Sequence, residues 1–267
     1  MITATRLITG PASAPITLTE IKANSALAST DTNHDTLLRI LRDAAVGQVQ
    51  AYLRRALVYQ TWKVWLDSWT DYLFPLVHPT ADVIVLPLGQ LRSVTHVKYT
   101  DTDSTQSTFS SDYYDVDTYS DPGLIRLGYG DSWPSDSLHP TNPIEIQYIC
   151  GWYSGDVWVK STVYTSGQVV IPATMADNLR GLAYECTTGG TAGATEPTWP
   201  TTLAGTVTDG TAVWTARERV PEEIRNALLL IVDDAFQNRG DIAMGPGLTA
   251  LNLRRAESLL SPWRLWA

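Results

Sequence analysis

Basic residues are scarce in this chain: 19 Lys and Arg stand against 28 Asp and Glu, a net charge of −9. Tight binding to a phosphate backbone needs clustered cations, so the balance argues against DNA as a specific ligand. Cysteine is scarcer. Cys150 and Cys186 fall in segments of different character, and neither has a partner at metal-ligand or redox spacing, which fits a reduced compartment. Long apolar runs are also missing. The opening "MITATRLITGPASAPITLTE" lacks the core of a signal peptide, and "ALLLIV" (Ala227 to Val232) is far short of the ~20 residues that span a bilayer. A soluble chain with no membrane partner is expected.

Catalytic constellations are missing in the same way. His34, His78, His96 and His139 are scattered, without a carboxylate or thiol at triad or ligand spacing. Glu222-Glu223 and Asp233-Asp234 are adjacent pairs that cannot share one helix face, so helix-dipole and solvation roles suffice for them. "DTDSTQSTFSSD" starts like a calcium loop at Asp101 and Asp103, but Gln106 occupies the position that needs Gly, and a hairpin tip is the better reading. "GGTAGATEP" has no Lys-Ser/Thr and no helix behind it, so it is not a phosphate loop. No catalytic residue, metal or cofactor is assigned, and the chain is not expected to be an enzyme.

What is present is periodicity. Thr17-Leu18-Thr19-Glu20 reads as a capping box, with Ile16 and Ile21 at staple positions, and predicts a short helix to about Ala28. Leu38, Leu41, Ala45, Val49, Tyr52 and Leu53 form one stripe of a second, amphipathic helix. From Tyr59 the period becomes two, and strands are predicted in "YQTWKVWLDSW", "ADVIVLPLG", "RSVTHVKYTD", "DYYDVDTYSDPGLIRLGYG" and "NPIEIQYICGW", with a tight turn at Asp121-Pro122-Gly123. From Tyr153 to Ala216 the chain is rich in Thr, Gly and aromatics, and its basic residues are only Lys160 and Arg180. Helical spacing returns at "RVPEEIRNALLLIVDDAFQNRG", with Ile224, Leu228, Ile231, Val232, Ala235 and Phe236 on its apolar face and Arg239-Gly240 as its stop. A last helix, from about Leu248 to Leu260, ends at Pro262.

The fold class is therefore α+β: a helical base of about four helices, a β-rich middle, and an inserted small all-β module. The domains are a discontinuous core of residues 1–152 plus 217–267 and a module of 153–216. Within the module, Trp158, Tyr164, Tyr184, Trp199 and Trp214 either fill a small core, the favoured reading, or present an aromatic surface to a sugar ring. Leu229 and Leu230 widen the stripe of the "VPEEIR" helix beyond one face. Together with Asp233 of that helix and Arg39 and Arg42 of the second helix, they are the candidate subunit contacts.

The segments "LTEIKANSAL", "LRRALVYQTWKVWLD", "LPLGQLRSVTHVKY", "DPGLIRLGYGDSWP", "NPIEIQYICGW", "VPEEIRNALLLIVDDAFQNRG" and "LLSPWR" occur in an order that resembles the head-tail connector (adaptor) proteins of tailed bacteriophages. The resemblance covers Ile16 to Trp152 and Val220 to Arg264. Members commonly run almost directly from the strand ending in "GW" into "VPEEIR"; the residues between are a departure, similar to a small β module of phage structural proteins and loosely to chitin-binding-type modules. The resemblance implies a virion protein assembled in the host cytoplasm: a ring of copies, commonly twelve, under the portal protein and above a tail-side neck or tail-completion protein. Double-stranded DNA would pass through its lumen without specific binding. It also implies that the tail residues Pro262, Trp263, Arg264, Leu265 and Trp266 form the portal-facing contact. A carbohydrate-binding or host-adhesion role through the module is the alternative.

Overall fold

A computed structural model describes residues 2–69, 82–238 and 247–265, the side chains of 247–253 excepted; His78, Arg239-Gly240 and Trp266 lie outside the described residues. The described residues form four α-helices and fifteen strands, an α+β fold with a β-rich middle. It divides into two compact units. One comprises residues 1–11, 54–151 and 265–267, the other residues 12–53 and 152–264.

The first unit is built from strands β1 (Ile2–Thr9), β2 (Gln60–Leu66), β3 (Val83–Val85), β4 (Leu91–Thr100), β5 (Gln106–Phe109), β6 (Tyr114–Asp117), β7 (Leu124–Leu127) and β8 (Ile144–Cys150). The larger sheet has the order β1-β2-β8-β4-β5 and the smaller β3-β7-β6. Alternation in β8 decides the register: Ile144, Ile146, Tyr148 and Cys150 are buried, and the residues between them are not. Val64 and Leu66 of β2 lie opposite Ile146 and Ile144, and Val97 of β4 lies opposite Ile146, so one face of the sheet becomes continuous apolar surface. Ile84, Ile125 and Leu127 from the smaller sheet, with Leu86 just after β3, complete the same core. The buried Tyr148 hydroxyl is satisfied by donating to the Pro87 carbonyl at 3.1 Å. Burial pushes the Cys150 thiol up to about 12, so it is an inert, small core residue.

Two turns close this unit. At Asp121-Pro122-Gly123 the Asp-Pro bond is cis, and the Asp121 carboxylate accepts both arms of the buried Arg55 guanidinium at 2.7 and 2.6 Å. Gly151 ends β8 with φ +103°, and a Cβ there would lie 2.5 Å from the Val58 carbonyl, so only glycine fits. Between β4 and β5, Asp101 Oδ1 accepts the N–H groups of Asp103 and Thr105, each at 2.9 Å. This is the hairpin tip expected for "DTDSTQ". Strand β1 had no counterpart in the sequence reading. It pairs antiparallel with β2 at the sheet edge, and most of its residues stay exposed on both faces.

The second unit holds helices α1 (Leu18–Asn24), α2 (Asp35–Leu53), α3 (Glu222–Gln237) and α4 (Gly247–Leu260), with a 3-10 turn at Ser261–Trp263. The capping box of α1 forms as expected: Thr17 Oγ1 accepts the Glu20 N–H at 3.2 Å, and Glu20 Oε2 accepts the Thr17 N–H at 2.7 Å. The helix stops at Asn24 rather than near Ala28, because Ala26 has crossed to a positive φ of 54°. Leu38, Ala45, Val49 and Leu53 of α2 and Ile224, Ala227, Leu228, Val232 and Phe236 of α3 are buried, which is the helical spacing of the sequence.

The same unit contains strands β9 (Asp156–Val157), β10 (Val163–Tyr164), β11 (Val169–Ile171), β12 (Leu182–Thr188), β13 (Gly190–Thr191), β14 (Thr206–Asp209) and β15 (Ala212–Glu218). They form a five-stranded sheet, β14-β15-β12-β11-β9, and the pair β10-β13. These residues have a hydrophobic core of their own, centred on Trp158, Tyr184, Trp199 and Trp214. The two ends of the module meet: the Tyr153 N–H donates to the Glu218 carbonyl at 3.0 Å, and the Val220 N–H to the Tyr153 carbonyl at 3.3 Å. Packing therefore groups the helices with the β module, whereas the sequence reading grouped them with the larger sheet.

Candidate assembly surfaces

Glu20 is the hub of the helical part. While one of its oxygens caps α1, Oε1 accepts from Arg219 Nη2 at 3.0 Å and from Arg225 Nη2, and Arg225 reaches Glu222 at 3.5 Å. The Arg219 side chain is 1% exposed and that of Glu20 22%. Burial alone would raise the Glu20 carboxyl. The charges of Arg225 and Arg219 and the bonds from Thr17 outweigh it and hold the group below its ordinary 4.5. Burial lowers Arg219, helped by the like charge of Arg225 and opposed by Glu20. Nearby, Lys22 pairs with Asp35 at 2.6 Å, and the Ser25 hydroxyl donates to Asp233 at 2.8 Å. Charge thus fastens α1 to α2, to α3 and to the end of β15.

The expected contact residues divide in two. Leu229 and Leu230 are half-buried, and Leu229 lines a cavity of ≈ 510 Å³ with Glu20, Arg180, Glu222 and Arg225. Arg39 is exposed, and Arg42 bonds its neighbour Asp43 at 3.0 Å. Asp233, half-buried, accepts from the Ser25 hydroxyl at 2.8 Å.

In the tail, Pro262 is exposed while Trp263 sets its edge against Trp152, ring centroids 5.8 Å apart. Arg264 stacks over the Tyr52 ring at 5.0 Å, and Leu265 is half-buried. Trp263 and Arg264 thus fold back on their own unit. Trp266 lies outside the described residues.

The five aromatic residues of the module are core, not surface. Trp158, Tyr164, Tyr184, Trp199 and Trp214 are all buried, with Tyr184 and Trp214 at 0% exposure. Their rings pack edge to face or tilted, Tyr184 on Trp199 at 4.3 Å and Tyr164 on Trp214 at 4.9 Å, and these five leave no flat platform for a sugar ring. The polar edges are satisfied inside. Asp209, 4% exposed, accepts from Trp158 Nε1 at 2.8 Å, Trp214 Nε1 at 3.2 Å and the Gly193 N–H at 2.7 Å. This carboxylate went unnoticed in the sequence, where it sits far from Trp158 with no local mark.

The described histidines have local partners. His34 lies 3.3 Å from Asp31, His96 3.0 Å from Glu145, and His139 3.1 Å from the Thr141 carbonyl. Among the described residues no three His, Cys, Asp or Glu side chains gather where they could hold a metal ion.

No protein-family model matches the chain, and no curated protein matches it. Solved structures do match. A chain from the neck of an empty gene transfer agent particle, computed with C6 symmetry, is similar with TM-score 0.58 and 14% identity, over 99% of this chain and 97% of that one. A chain of the virion of a native gene transfer agent particle matches at 0.57 and 13%, over 99% and 97%. A chain from the neck of the native particle, computed with C12 symmetry, matches at 0.51 and 13%, over 98% and 97%. At such identities the likeness is one of fold.

Proposed function

We propose that this chain is a structural head-tail connector subunit, which forms a ring under the portal and joins capsid to tail around the DNA channel. The observation that carries the reading is the fold shared with gene transfer agent neck chains along nearly the whole of both chains. In this reading its partners are copies of itself, the portal protein and a tail-side neck or tail-completion protein, and its work is assembly rather than catalysis. The ring is a dodecamer, the symmetry of one of the matched necks. DNA passes through the lumen without specific binding, in keeping with the net charge of −9. The module of residues 153–216 is a guest between strand β8 and helix α3, and adds contacts to capsid or neck neighbours. The burial of its five aromatic rings counts against the glycan-binding alternative.

The tail supplies the portal contact when Trp263 and Arg264 leave Trp152 and Tyr52 for a pocket on the portal, as aromatic and Arg anchors do at interfaces. Electron microscopy and pull-down of the protein with its portal test this. Rings on portals are expected for the full chain, and a folded protein without portal binding after deletion of Ser261–Ala267. Unchanged binding by the deletion refutes the role of the tail; absence of any complex by the full chain refutes the connector reading.

A further inference from the structure

The large sheet carries two unlike edges. Among the described residues β1 forms one edge and β5 the other. Along β1, Thr5 to Thr9 are all exposed, with Leu7 at 41% and Ile8 at 44%. The pairing with β2 is irregular there, Leu7 lying opposite Trp62 and Thr9 opposite Thr61, so that Ile8 is an extra residue at the edge. Of the devices that blunt an edge, "ITATRLIT" has register shifts at Ile2/Ala4 and Leu7/Thr9 but no proline or lysine, and its only charge is Arg6. The other edge has the opposite sign. From Tyr99 to Ile125 every charged residue is an aspartate. Asp121 is neutralised by Arg55, and Asp115 lies across from Arg126 in the β6–β7 pairing. Asp103 and Asp112, both exposed, flank the two ends of β5 with no cation bonded to them among the described residues.

We infer that the β1 edge of one copy docks on the acidic β5 edge of the next, with Leu7 and Ile8 buried in the seam and Arg6 against the aspartates. This rests on the ring reading above and names its contact. A pairing of β1 with β1 would be isologous, would place Arg6 near Arg6, and would stop at a dimer. Joining unlike edges is heterologous, the type of contact that closes rings.

The test is native mass spectrometry and sedimentation of the full chain, with circular dichroism confirming that each variant is folded. The exposed positions allow three sets: Leu7→Lys with Ile8→Lys, Arg6→Glu, and Asp103→Lys with Asp112→Lys. The wild type is expected to form a ring-sized multimer. Each set weakens assembly at least tenfold, and Arg6→Glu combined with the two aspartate reversals recovers it. Should all three sets assemble like wild type, the edge contact is overturned while the ring reading stands. A wild type that stays monomeric at every concentration, alone and with portal, sinks both. Loss of assembly without recovery in the combined variant overturns the charge pairing between the two edges.

Discussion

Replacing Glu20 by Gln separates two roles of one side chain. Glutamine keeps the capping bond to the Thr17 N–H, since the box accepts either residue, but it leaves Arg219 and Arg225 without their shared anion. Removing one partner of a buried pair costs about 3–5 kcal/mol. Glu20 retains 22% exposure while Arg219 has 1%, so the low end, about 3 kcal/mol, is expected for the same reason that solvent screens exposed pairs. In a chain of this size that lowers the melting temperature by roughly 6–12 °C. Thr17→Ala, which removes only the cap, lowers it by roughly 2–4 °C for about 1 kcal/mol. Thermal melts followed by far-UV circular dichroism compare the two directly. The Glu20 carboxyl is depressed below 4.5 in the folded chain, so its stabilisation is present above that value and lost as pH falls through the lower, folded one. The gap between wild type and Glu20→Gln is therefore full at pH 7 and closes below pH 4.5. If Glu20→Gln melts no lower than Thr17→Ala at pH 7, the charge hub does not hold this unit together.

Two further outcomes follow from the cores. Asp209→Ala strands two indole N–H groups and one backbone N–H in the module, each costing about 1–3 kcal/mol; limited proteolysis is expected to cut within residues 153–216 of the variant and spare the wild type. Cys150, pushed up to about 12 by burial, and Cys186, also raised by burial, are expected to resist a thiol reagent at pH 8 until denaturant is added, and prompt labelling of the native protein would contradict their placement.

Much of this fold is legible wherever the deciding partners are close in sequence. The capping box of α1 needs only Thr17 and Glu20, and the alternation of β8 or the stripe of α3 is complete within one segment. Strand β1 escapes the sequence because its partners, Thr61 to Leu66, are distant and its two-residue alternation covers only Ile2 to Thr5 before every residue becomes exposed. The sequence marks Glu20 only as a cap, since its cations Arg219 and Arg225 lie about 200 residues away in the chain. The module's tryptophans fill its core, as expected for so small a domain. What composition could not supply was the buried carboxylate of Asp209 that makes such filling tolerable for two indole N–H groups.

The hydrogen bonds that join Tyr153 to Glu218 and Val220 also determine how tension would travel. A pull along the backbone enters and leaves the β module at neighbouring points, so the load crosses this two-bond clasp and bypasses the sheet behind it. The module is then spared the load up to the force at which the clasp opens.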